Sequence, residues 1–231
     1  MEFTLKSTTE GQLILVDKPL QITSFQVVNK IRWGLKSKYN LNKLKVGHAG
    51  TLDPLASGLL IICTGKMTKK INELQDLEKT YTGTITLGAT TASYDLETPI
   101  DEKFLINHLN EESLIAATKK FKGEIDQYPP IYSAIKKKGK RLYEYARSGQ
   151  KIQIDSRKVT IHHFDFKKIK LPDLNFEVKC SKGTYIRSLA NDFGKSVNSG
   201  GYLTSLRRTA VGPFKVENAL TPQELLKKLE L

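Results

Sequence analysis

Apolar residues along the chain recur with two rhythms, a strand-like period of two and a helix-like period near 3.6. Gln12-Leu13-Ile14-Leu15-Val16-Asp17 predicts a first strand, ended by Lys18-Pro19. Thr23 followed three residues later by Gln26 has the spacing of a capping box, in which each side chain satisfies the other residue's backbone N–H. Val27, Val28, Ile31 and Leu35 then fall at helical spacing. Gly58 to Cys63 predicts a buried strand, and Lys66 to Leu77 a helix with Ile71, Leu74 and Leu77 on one side. Lys79 to Gly88 alternates, with Thr80, Thr82, Thr84 and Thr86 on one face and Tyr81, Gly83, Ile85 and Leu87 on the other.

Further along, Asn110 predicts the cap of a helix carrying Leu114, Ile115, Thr118 and Phe121. Pro129-Pro130 imposes an extended segment after Tyr128. Arg141 to Arg147 predicts a short helix stopped at Gly149. Val159 to Phe166 and Leu174 to Cys180 read as a pair of strands around Pro172-Asp173, and Tyr185 to Val197 as a helix with Leu189, Ala190, Phe193 and Val197 inward. Thr221, Pro222 and Glu224 form a full start signal for a last helix. Strands and helices mix without a βαβ rhythm, which predicts an α+β fold.

Composition narrows the function. A chain of 231 residues that is 39% hydrophobic and 26% charged is long enough to bury a core and is neither disordered nor collagen-like. Its longest apolar run, Leu59 to Cys63, is far short of the ~20 residues that cross a bilayer. The first residues lack the basic-then-apolar pattern of a signal peptide. Cys63 and Cys180 form no CxxC, so the expectation is two reduced thiols in a cytoplasmic protein.

Charge adds a partner. Lys and Arg number 37 against 24 Asp and Glu, a formal charge of +13. The surplus gathers at Lys136, Lys137, Lys138, Lys140 and Arg141, at Lys66, Lys69 and Lys70, and at Arg207-Arg208, while Asp95 to Glu112 is acidic. Such clustering favours a nucleic acid over a membrane surface, since no basic stretch carries a strong apolar face. Each cluster also reads as a plain solvated face.

Two segments could carry chemistry. Gly47 to Gly58 packs three glycines, His48, Asp53 and a proline between polar sequence and a buried strand, so Asp53 is either a reactive acid or the acceptor of an ordinary turn. Cys180 to Leu189 predicts a glycine turn leading into a helix whose first turn holds Tyr185 and Arg187, at the end that attracts anions. Tyr81, by itself, reads as a core tyrosine. His162 and His163, adjacent in a predicted strand, point to opposite faces, and no zinc spacing, Walker loop or GxGxxG occurs.

Together these motifs resemble bacterial tRNA pseudouridine synthases of the TruB type. Six blocks match in family order: Val16-Asp17-Lys18-Pro19 with Thr23-Ser24; Gly47-His48-Ala49-Gly50-Thr51-Leu52-Asp53-Pro54; Lys79-Thr80-Tyr81 with Leu87 to Thr91 and Asp95; Tyr128 to Ala134; Gly183 to Arg187; and Leu206-Arg207-Arg208-Thr209. The resemblance implies one catalytic domain over 1–231, a pseudouridine synthase fold of a long, mostly antiparallel mixed sheet with a central catalytic cleft. It departs from members that continue into a C-terminal PUA domain.

The family isomerises the T-loop uridine at tRNA position 55 after flipping it out. By resemblance Asp53 is the nucleophile, Arg187 its accompanying cation, and Tyr81 the ring that stacks on the base and assists at C5. His48 fills the space of the flipped base, while Tyr185, Leu206 and Lys18 join Tyr81 and His48 in the substrate-binding set. The expected partner is the tRNA T-arm, gripped through phosphates by Lys136 to Arg141, with a monomer as the default and neither metal nor cofactor implied. A pseudouridine synthase acting on another RNA, or a noncatalytic RNA-binding module, is the rival. The joint presence of Asp53, Tyr81 and Arg187 argues against the noncatalytic one.

Overall fold

A computed structural model describes residues 3–230. The fold is α+β with a large mixed sheet of mostly antiparallel strands. The chain divides into two compact units, residues 1–81 with 206–231, and residues 82–205. The Lys79–Leu87 and Gly201–Val211 strands each run from one unit into the other.

In the first unit, Ala56–Thr64 is the central strand. It pairs antiparallel with Leu13–Lys18 and Val46–His48, and parallel with Gly201–Val211. Its apolar run is explained by burial on both faces. Leu60 and Ile62 join Ile14, Val16, Val27, Ile31 and Leu35, while Leu59, Ile61 and Cys63 pack with Ala49 and Val211. Burying each such aliphatic chain stabilises by about 1.5–3 kcal/mol. The Ser24–Lys38 helix covers the first face, started by the expected box: Gln26 N–H donates to Thr23 Oγ1 (3.1 Å) and Thr23 N–H to Gln26 Oε1 (2.7 Å). The Pro222–Lys228 helix begins with the same device at Thr221 and Glu224.

The helix expected after Gly65 differs, and the one capped by Asn110 ends at Thr118, with Phe121 in a 3₁₀ turn beyond it. Lys66 to Leu77 is a 3₁₀ segment, Gly65–Lys70, followed by a short α-helix, Ile71–Asp76. The Thr68 hydroxyl donates to the Gly65 carbonyl (2.7 Å), holding the first turn in the tighter winding.

In the second unit, the Lys79–Leu87 strand neighbours Asp173–Cys180, which pairs with Arg157–Lys170, which pairs with Gly123–Gln127. The buried side of the Lys79–Leu87 strand carries Ile85 and Leu87, with threonines on the other side, as the alternation predicts. The Ile186–Ser196 helix packs through Phe193 onto Phe121, Phe164 and Phe166, with ring centroids 5.2–5.9 Å apart. The Gly201–Val211 strand, the longest element that periodicity did not predict, follows that helix directly.

Candidate active site and RNA-facing residues

The Asp53 loop closes a tight antiparallel pair. Val46–His48 opposes Ile62 to Thr64, and residues 49–55 bridge to the Ala56–Thr64 strand. The backbone on both sides of Asp53 is fixed. Buried Ser24 Oγ accepts from the Leu52 N–H (2.8 Å) and donates to the Leu52 carbonyl (3.0 Å). The Pro54 carbonyl accepts from Gln21 N–H (2.8 Å), and the Asp53 carbonyl from Ala56 N–H (3.0 Å). The side chain of Asp53 is half-buried.

Arg208 completes this frame. Its guanidinium is 1% exposed and donates to the carbonyls of Leu59 (2.7 Å), Gly50 (3.0 Å) and Thr51 (3.4 Å). The strand register explains its position: Lys18 lies opposite Gly58 on one side, and Arg208 opposite Gly58 on the other. Gly58 has φ +105°, and a Cβ there would lie 2.3 Å from the Arg208 carbonyl oxygen, so only glycine permits this approach.

Two buried cations therefore border the Asp53 loop. Lys18 donates to the carbonyls of Pro19 (2.9 Å) and Ile22 (2.8 Å). Burial brings its ammonium down from 10.5 to about 8; the Asp53 charge opposes that shift and Arg208 adds to it. His48 is held below its ordinary value by burial, then by Arg208, against a backbone hydrogen bond at Gly50, so it carries a neutral imidazole at pH 7. Leu206 is half-buried and registers with Ala56, and Tyr81 is buried in its strand.

The second unit holds the other predicted residues. Gln127, 1% exposed, grips both sides of Tyr185: its Oε1 accepts from the Tyr185 N–H (2.7 Å) and its Nε2 donates to the Tyr185 carbonyl (3.0 Å). The Arg157 guanidinium lies 4.8 Å from the centroid of the Tyr185 ring. Tyr185 caps the Ile186–Ser196 helix, which places Arg187 in its first turn. Arg187 is 4% exposed, donates to the Ser93 carbonyl (3.2 Å), and has Nε 3.6 Å from the buried Asp95 carboxylate.

Lys136 to Arg141 form a hairpin of two short strands, Lys136–Lys137 and Lys140–Arg141, turned at Lys138 and Gly139 with positive φ. Lys136, Lys138, Lys140 and Arg141 are exposed. Lys137 is committed elsewhere, donating to Asp155 and to the Gln153 carbonyl, both at 2.7 Å.

The structure corrects one basic cluster. Arg207 and Arg208 lie on a strand, so they point to opposite faces: Arg207 makes a bidentate bond to Asp17 (2.6 and 3.0 Å) while Arg208 is buried. Arg208 is therefore not a solvated cation, and Arg207, partly exposed, is paired with Asp17. Ser24 and Arg208 carry the loop framework, and no local sequence pattern marks them for that role. Placing Leu206-Arg207-Arg208-Thr209 on a strand was the signal that could have separated the two arginines. Among the described residues no three His, Cys, Asp or Glu gather as a metal-binding group, and no helix is long and apolar enough to cross a membrane.

An aspartate loop framed by buried cations thus sits on a mixed sheet, and comparison with known proteins gives its family. Residues 36–186 match the TruB family pseudouridylate synthase N-terminal domain, and residues 187–231 the tRNA pseudouridylate synthase B C-terminal domain. The chain belongs to the TruB family of pseudouridylate synthases. It is 61% identical to the tRNA pseudouridine synthase B of Flavobacterium johnsoniae, over 91% of this chain and 93% of that protein. It is 48% identical to the tRNA pseudouridine synthase B of Chloroherpeton thalassium, over 95% and 91%. Among solved structures it resembles a chain of a Cbf5-Nop10-Gar1 complex, at 30% identity and a TM-score of 0.71. That match covers 96% of this chain but spans only 55% of the other.

Proposed function

We propose that this chain is a cytoplasmic tRNA pseudouridine synthase that isomerises the T-loop uridine at position 55, acting as a monomer on the T-arm with Asp53 as nucleophile. In the reaction the bond from N1 to C1′ breaks, the uracil turns, and C5 bonds to C1′. C5 loses a proton and N1 gains one, so the change is redox-neutral and calls for neither metal nor cofactor. The observation that carries this reading is the Asp53 loop. Its backbone is pinned by Ser24, Gln21 and Arg208, while its carboxylate is left half-buried beside the charged Lys18. A covalent catalyst needs such a fixed carboxylate, with cations near enough to balance its charge.

Tyr81 is assigned to stacking on the base and assisting at C5, and Arg187 to the cation that accompanies the nucleophile. His48, Tyr185, Leu206 and Lys18 are assigned to the base pocket, and the exposed cations of the Lys136 to Arg141 hairpin to phosphates. The neutral imidazole of His48 fits a side chain that holds the space of an uncharged base. Extruding the uridine costs a few kcal/mol, which these contacts offset.

The test is conversion of an unmodified tRNA transcript, with pseudouridine mapped at each position. Wild-type protein is expected to convert the T-loop uridine, and Asp53→Asn to reduce conversion to background while binding tRNA nearly as well. Conversion of a different uridine would move the substrate assignment, and turnover by Asp53→Asn would remove Asp53 from the mechanism.

A further inference from the structure

The Ser24–Lys38 helix presents an outer face that the catalytic reading does not use. Its inner face buries Val27, Val28, Ile31 and Leu35. At 100° per residue, Phe25, Trp33, Lys30 and Lys36 all fall on the opposite half of the helix. Phe25 is 63% and Trp33 60% exposed, so neither ring is there to fill the core. Lys30 and Lys36 have no ion-pair partner among the described residues. The surrounding sequence is one-signed: Lys18 to Leu52 contains seven Lys and Arg and no Asp or Glu.

We propose that this face is a platform for unpaired bases of the RNA substrate, which stack on Phe25 and Trp33 while their phosphates meet Lys30 and Lys36. The proposal rests on the reading of the protein as a tRNA-modifying enzyme and extends it to a second contact surface. Exposed aromatics interleaved with cations match single-stranded nucleic acid, since every base offers a ring face and every nucleotide a negative charge. A second copy of this chain fits poorly, because a two-fold contact would set these unbalanced cations against their own copies. The helix also begins at the reaction centre. Ser24, beside Phe25, holds the Leu52 peptide next to Asp53, and Trp33 lies eight residues, about 12 Å, further along the axis. The platform therefore leads away from the nucleophile along a line that RNA flanking the reacting uridine can follow.

Trp33 is the one tryptophan in the chain, so its fluorescence reports on this face alone. Titrating wild-type protein with unmodified tRNA transcript is expected to quench that emission. Trp33→Ala is expected to weaken tRNA binding by about tenfold, with Trp33→Phe restoring most of the loss because a stacking ring remains. The paired change Lys30→Ala and Lys36→Ala is expected to make the salt dependence of log K shallower by about 0.7 per phosphate. The saturated single-turnover rate should be nearly unchanged in all of these. The proposal is overturned if saturating tRNA leaves Trp33 emission unaltered, or if Trp33→Ala binds tRNA like wild type. It is also overturned if the same variant abolishes a concentration-dependent self-association that needs no RNA. A protein that converts tRNA while Trp33 stays silent rejects the platform alone. One that neither binds nor converts tRNA rejects the functional reading beneath it.

Discussion

The Asp53 loop and the Lys136 to Arg141 hairpin are both short, glycine-containing connections between strands, yet they are built on opposite terms. The Asp53 loop is fixed by side chains that are themselves buried, Ser24 from a helix and Arg208 from a parallel strand, each hydrogen-bonded to loop backbone, Arg208 also to Leu59 of the adjoining strand. The hairpin shows the reverse. Its turn is open, its cations other than Lys137 face water, and its main anchors are Tyr145 Oη on the Lys137 carbonyl (3.0 Å) and the Lys137 bonds to Asp155 and Gln153. A reacting carboxylate must be aimed before the substrate arrives, because misplacement by an ångström is costly in rate. Phosphate contacts tolerate adjustment, since a long lysine chain finds its partner after encounter.

The same substitution in both places breaks the comparison most directly. Gly58→Ala adds a Cβ at 2.3 Å from the Arg208 carbonyl oxygen, at a residue with φ +105°. A loss of about 3 kcal/mol or more is expected, with activity falling alongside as the Arg208 frame shifts. Gly139→Ala also meets positive φ, at +83°, but nothing lies within 4 Å of its added Cβ, so about 1 kcal/mol is expected. Denaturant midpoints measure both. Equal losses would show that the two loops do not differ in packing.

Arg187→Lys asks whether the rigidity extends to the second unit. The guanidinium donates to the Ser93 carbonyl and pairs with Asp95 while buried, a geometry that one ammonium cannot reproduce. Single-turnover conversion is expected to fall about a hundredfold, with tRNA affinity little changed. A rate near wild type would remove Arg187 from the catalytic set.

Lys18 yields a pH signature. Its ammonium titrates near 8, so conversion is expected to decline as pH rises through that value and the charge beside Asp53 is lost. Lys18→Arg stays protonated and should move the alkaline limb beyond pH 9. Stability runs the other way. The folded state holds this proton less tightly than the unfolded chain, so Lys18's contribution to stability rises between about 8 and 10.5. A falling rate in a protein that this group renders no less stable separates titration from unfolding. An unmoved limb in Lys18→Arg would mean that the Lys18 charge does not support catalysis.

Local signals made much of this legible. The boxes at Thr23 and Thr221, the alternation after Lys79 and the Phe-rich hairpin are written in neighbouring residues, and each forms where the pattern puts it. The family motifs located Asp53, but not what holds it, because its supports come from positions distant in sequence. Arg208 reaches Gly50 across 158 positions and Ser24 reaches Leu52 across 28. Adjacency misled at Arg207-Arg208, where two like residues read as one patch until the strand set them on opposite faces. The Gly201–Val211 strand was hidden for a related reason: Thr204 to Thr209 is largely polar, and its place is set by partners such as Ala56 to Gly58.

The hairpin cations should show the smallest effect on chemistry and a clear one on binding. Lys136, Lys138, Lys140 and Arg141 are exposed, and each phosphate they meet releases counterions. Neutralising all four is expected to make log K against log[salt] shallower by about 0.7–0.9 for every phosphate no longer held, the value depending on whether the RNA there is single- or double-stranded. Affinity should fall most at low salt, and the saturated single-turnover rate should hold. Lys137→Ala is expected to differ from the other four, because its ammonium already faces Asp155 and the Gln153 carbonyl. Removing it should leave the slope unchanged and loosen the hairpin, which would appear as faster amide exchange at residues 136–141. Titrations of tRNA at several salt concentrations decide between the two roles. If the fourfold variant keeps the wild-type slope, the hairpin is a solvated turn and the phosphate grip lies elsewhere; if Lys137→Ala alone flattens it, the Asp155 pair yields to RNA on binding.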